Sequence, residues 1–121
     1  MDYWVWKALT AVEPRVVVAE YHNALGERSI TVPYKADFDR YDIHPLYTGA
    51  SLPAFVKLAK EKGYRLVGCN RYGFNAFFIK NGTGEEIFPE VSAQDCLRYP
   101  QALEAQKNLP PEVLGYEWTE V

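Results

Sequence analysis

The sequence predicts a small α/β domain: a three-layer-like arrangement with a sheet of about three to four mixed strands between flanking helices. Two strands are expected to run parallel and one to return as an antiparallel hairpin strand. Three observations carry this. Residues 15–22, "RVVVAEYH", hold three consecutive valines bounded by Pro14 and a polar end, the pattern of a strand buried on both faces. Residues 51–63 carry apolar positions at helical spacing. "YRLVGCN" and "NAFFIK" are separated by the tight "RYG" connection of a hairpin. A strand–helix–strand crossover joining residues 15–22 to residues 64–70 then implies a right-handed parallel pair.

Along the chain, Asp2 is placed as the cap of a helix running to Val12, with Val5, Ala8, Leu9 and Val12 on one face and Pro14 as its stop. "SITVP" (29–33) reads as a short edge strand, because Pro33 cannot serve a central ladder. The polar, aromatic stretch around it makes residues 23–50 an insertion. Ser51 caps a second helix whose stripe is Leu52, Phe55, Val56 and Ala59. Lys57, Lys60, Glu61 and Lys62 form its solvated face, and Gly63 ends it. Ser92 with Asp95 resembles a capping box, and Pro100 opens another short helix. Residues 1–121 are read as one domain, with 89–121 a helical, proline-rich extension.

Composition excludes several classes of function. A 48% hydrophobic and 24% charged balance is globular, and a net charge of −3 offers no electrostatic help toward a phosphate backbone. Nucleic acid is therefore not an expected partner. No apolar run reaches the ~20 residues of a membrane helix, and the start lacks a basic segment followed by an apolar block. A cytoplasmic location without membrane contact is expected. Asn81-Gly82-Thr83 is then a turn rather than a glycosylation site. Cys69 and Cys96 are expected to be reduced and structural. With His22 and His44 on separate segments, no metal site is expected.

At this point "DYWVWKAL", "PRVVVAEYHN", "LAKEKGYRLVGCN" and "NAFFIK" resemble, in that order, the second half of FkbM-type, Rossmann-like methyltransferases that use S-adenosylmethionine. The resemblance covers residues 2–80, with 23–50 as an insertion. Asp2 stands where that family has an acidic residue just after its cofactor-side strand. The family's first strand, glycine-rich turn and ribose-gripping acidic residue have no counterpart here. The resemblance thus implies a half fold that is not catalytic alone, with no cofactor expected for the isolated chain. S-adenosylmethionine would enter only if a partner supplied the missing half. Whether any activity exists is left open, and the alternatives are a partner-completed methyltransferase subunit or a small-molecule binding module.

In open α/β sheets ligands sit beyond the carboxyl ends of the strands. Asn23, Ser51, Asn70, Arg71 and Asn75 are accordingly the expected ligand-binding residues, with Glu20 and His22 as candidates for acid–base work. Each also has a plain structural role available: Asn in turns, Ser51 as a cap, Glu20 paired with Arg71. Tyr34, Tyr41 and Tyr47 of the insertion line a pocket, form a partner surface or pin the loop to the core. A half sheet leaves the strand at residues 15–22 without a neighbour, and unpaired edges invite association. Trp4, Trp6, Val16, Val17 and Val18 are therefore the expected interface. The partner is a second copy, giving a homo-oligomer, or a complementary chain. Covering of the edge by "SITVP" or the tail is expected as a contributor.

Overall fold

The computed structural model describes residues 2–34 and 43–121. Two sheets are present among them, a three-stranded one and a two-stranded one, and every ladder in both is antiparallel. The chain begins with α1 (Asp2–Ala8), β1 (Val16–Glu20), a 3₁₀ turn (Asn23–Leu25) and β2 (Ile30–Thr31). It continues through α2 (Leu52–Lys62), β3 (Tyr64–Cys69) and β4 (Asn75–Lys80). The remainder is α3 (Ala93–Leu97), α4 (Pro100–Asn108), α5 (Pro111–Leu114) and β5 (Thr119–Glu120).

The parallel Rossmann-like sheet expected from the sequence is overturned. The order of the larger sheet is β1-β4-β3, so the hairpin strand β4 lies between the two strands expected to pair. Ala76 and Phe78 of β4 are fully buried, and Phe77 and Ile79 are half-buried on the opposite face. That two-sided apolar character suits β4 to the centre. β1 is an edge strand instead: Val16 and Val18 are 53% and 56% exposed, against 3% for Ala19. A run of valines therefore did not mean burial on both faces. A bulge between Leu66 and Gly68 shifts the β3–β4 register by one residue.

The core forms on one face of this sheet. Phe55, Leu58 and Ala59 of α2 pack against Ala19, Tyr64, Leu66, Ala76 and Phe78. Ser51 caps α2 as its chemistry predicts, accepting from the Ala54 N–H at 3.3 Å, and Gly63 closes the helix in the left-handed region at φ 85°. Ser92 likewise accepts from the Asp95 N–H at 3.2 Å and starts α3.

α1 differs from its expected form. It stops at Ala8, and its buried residues are Tyr3 and Trp6 rather than the stripe Val5, Ala8, Leu9 and Val12. The aromatic face wins because burying large rings against Phe55, Tyr64 and Phe78 removes more apolar surface than burying valines. Asp2 opens the helix and spends its carboxylate elsewhere, on the Glu20 N–H.

"SITVP" yields β2, which pairs with β5 of the tail in the smaller sheet, Ile30 opposite Glu120 and Thr31 opposite Thr119. Neither segment covers β1, because each satisfies the other. The far edge of β3, in contrast, is engaged, since Val91 donates its N–H to the Leu66 carbonyl at 2.9 Å. Among the described residues, the larger sheet thus has one occupied edge and one open edge.

Candidate functional site

Two places collect the residues singled out in the sequence. The first is the polar rim beyond the end of β1. A cavity of about 260 Å³ brings Glu20, His22 and Asn23 together with Asp2, Thr48 and Phe55. His22 is half-buried, its Nε2 lies 2.8 Å from the Leu46 carbonyl, and its ring meets Trp118 edge-on at 6.5 Å. A carbonyl only accepts, so Nε2 carries the proton. Burial depresses the imidazole pKa, and the bond to Leu46 opposes this without cancelling it. A neutral ring already committed to the backbone is held as a structural histidine. Glu20 is exposed and its backbone N–H is tied to Asp2.

The other rim residues do not join that cavity. Ser51 is wholly buried, and its Oγ accepts from the N–H groups of Ala54 and Ile30. Asn70 Oδ1 accepts from the Phe74 and Asn75 N–H groups at 3.0 and 3.1 Å, closing the β3–β4 turn. Arg71 stacks on Tyr72 at 5.2 Å, and no ion pair joins it to Glu20 among the described residues. Of the insertion tyrosines, Tyr34 lies 6.0 Å from Trp4, Tyr47 is buried against Tyr116 and Trp118, and Tyr41 lies outside the described residues. Cys96 is buried, with its thiol pushed up to about 12 by desolvation, which makes it inert as a nucleophile. Among the described residues no group of three or more His, Cys, Asp and Glu could hold a metal ion, and no helix is long and apolar enough to cross a membrane.

The second place is the open edge itself. Between α1 and β1 runs a groove of about 570 Å³ whose apolar lining includes Val5, Leu9, Val12, Val16 and Val18. Val5 is 63% and Leu9 40% exposed. The backbone chemistry of the edge follows from two bonds that bracket β1. Arg15 accepts from the Lys80 N–H at 2.9 Å, and Tyr21 donates to the Phe74 carbonyl at 2.8 Å. Antiparallel alternation then assigns the N–H and C=O groups of Val17 and Ala19 to β4, and turns those of Val16, Val18 and Glu20 outward. The Glu20 N–H is taken by Asp2 Oδ2 at 3.1 Å. The four groups of Val16 and Val18 have no partner among the described residues.

The expected interface residues divide at this point. Trp6 is 7% exposed and belongs to the core, where it touches Phe55, Tyr64 and Phe78. Trp4 is half-buried and donates its Nε1–H to the Val32 carbonyl at 2.7 Å. Val17 is half-buried on the core face and lines the groove together with Val16 and Val18, whose side chains alternate to the face of Phe77 and Ile79. Val5, Leu9 and Val12 were missed as groove residues because helical spacing marked them for the core. Their aliphatic, single-ring-free character beside Tyr3 and Trp6 was the available signal.

Arg65 was missed as well. It is buried at the sheet's second face and donates to the carbonyls of Lys80, Thr83 and Phe88 at 2.9–3.1 Å, gathering residues 80–88 around one guanidinium. No protein family matches the chain, and no curated protein or solved structure matches it at a significant level.

Proposed function

We propose that this chain acts through association, and that a second copy of itself occupies the groove between α1 and β1. The single observation that carries this reading is the open edge at Val16 and Val18. Four main-chain groups there have no partner among the described residues, and they stand beside apolar side chains. Such an edge is a template for an added strand: main-chain bonds supply affinity and the flanking apolar surface supplies burial. Elsewhere among the described residues, β2 and β5 pair with each other and Val91 bonds to the far edge of β3.

The polar rim supports a second, small-molecule reading only weakly, because Ser51, Asn70 and His22 are already spent on backbone partners. A partner-completed methyltransferase draws no support from the fold, because β4 separates β1 from β3 and every ladder is antiparallel.

Light scattering over a dilution series tests the association reading. The mass should exceed the 13.9 kDa of one chain at high concentration and fall toward it on dilution. Val18→Lys, which places a charge on the edge, should move the transition to higher concentration. A compact species of one-chain mass throughout would overturn the reading.

A further inference from the structure

Resting on that reading, we infer that the two copies pair antiparallel about Val17, with Val16 of each protomer opposite Val18 of its partner, so that two three-stranded sheets join into one of six strands. The register follows from which edge groups are free. Outward N–H and C=O groups sit at positions 16, 18 and 20 of β1, so outward residues must face outward residues in an antiparallel ladder. Centring the pair on Val18 sets Val16 opposite Glu20, whose N–H is already bonded to Asp2. Centring it on Val16 sets Val18 opposite Pro14, which has no N–H to give. Centring it on Val17 joins all four free groups of one copy to the four of the other. The ladder then stops at both ends where Asp2 and Pro14 have removed the next donor.

Charge favours the same direction. Glu13 is taken by Lys80 at 2.6 Å, and among the described residues Arg15, at the start of β1, has no carboxylate partner. Asp2 and Glu20 stand at its end. Antiparallel pairing brings the basic start of each strand toward the acidic end of the other, while parallel pairing superposes like charges. The side chains agree too. Val18 lies opposite Phe77, and Val16 opposite Ile79, within each sheet. Across the new seam, Phe77, Val18, the partner's Val16 and the partner's Ile79 form one apolar row. The two-fold axis stands perpendicular to the sheet and sets both α1 helices on the same side, turning the exposed Val5 and Leu9 toward the other copy.

Cross-linking of the whole chain tests this arrangement. Val17 meets its own counterpart as a non-hydrogen-bonded pair with Cα atoms about 4.5 Å apart, a separation a disulfide spans. Under oxidised glutathione, Val17→Cys should therefore convert most chains to covalent dimers, against wild type treated identically as background for Cys69 and Cys96. Val16→Cys and Val18→Cys should each link poorly with themselves, since like positions lie beyond the ~7 Å limit. An equimolar mixture of the two should link efficiently. A light-scattering dimer that fails to link at Val17 and in the mixture overturns this register and leaves the association reading standing. Efficient self-linking of Val16→Cys or Val18→Cys also overturns it. A one-chain mass overturns both.

Discussion

The Asp2 carboxylate accepts a hydrogen bond from the Glu20 backbone N–H at 3.1 Å, which fastens the first residue of α1 to the end of an otherwise open strand edge. This contact defines where the free part of the edge ends. It also ties α1, whose Tyr3 and Trp6 are in the core, to the sheet it flanks.

Asp2→Ala should leave the fold intact but loosen this fastening. A hydrogen bond to an exposed charged acceptor contributes at the low end of its range, so the expected loss is about 1 kcal/mol by urea unfolding. The Glu20 amide should lose its protection in hydrogen exchange, while that of Tyr21, bonded to Phe74, is retained.

Phe55→Ala should be far more damaging. The ring is wholly buried and lies 5.8 Å from Tyr3 and 6.5 Å from Trp6, so its removal opens a cavity where α1, α2 and the sheet meet. A loss of roughly 3–5 kcal/mol is expected from denaturant unfolding. A loss below about 1 kcal/mol would show that this side chain does not join the layers.

Arg65→Lys should fail to replace arginine, although it keeps the charge. One ammonium cannot reach the carbonyls of Lys80, Thr83 and Phe88 with the geometry of a guanidinium fork. The orphaned carbonyls predict a loss of roughly 2–4 kcal/mol and early proteolysis within residues 81–91. Limited proteolysis with mass spectrometry reads the second effect directly.

Stability should fall with acidity through His22. Burial holds its imidazole pKa below the ordinary value of 6.5, so as pH drops the unfolded chain binds the proton before the folded chain does. The contribution is complete above about 6.5 and is lost as pH falls below it. His22→Gln keeps an N–H for the Leu46 carbonyl and has no charge to gain. Its unfolding free energy should show a shallower slope below about pH 6.5 than wild type.

How far the sequence disclosed this molecule depended on whether the signal was local. Ser51 and Gly63 delimit α2 because capping chemistry and a left-handed φ are decided within a few residues. The β3–β4 hairpin was legible for the same reason. Strand order was not, because three valines in a row look alike in a buried strand and in an edge strand, and only the neighbours distinguish them. α1 was misread in its facing, since helical spacing suits both the valine stripe and the Tyr3–Trp6 pair, and the larger rings took the core. At the rim, Glu20, His22 and Asn23 do converge, but Ser51 and Asn70 proved to be caps and turn locks. Arg65 left a trace, a lone charge inside the apolar strand "YRLVGCN", yet nothing local indicated that distant carbonyls would satisfy it.

Amide hydrogen exchange along β1, followed by NMR at two protein concentrations, tests the central claim most directly. Val17 and Ala19, bonded to β4, should be protected at both concentrations. Val16 and Val18 should exchange freely in the dilute sample and become protected in the concentrated one, in step with the rise in mass. Free exchange at Val16 and Val18 in the concentrated sample would contradict the account, as would full protection of both in the dilute monomer.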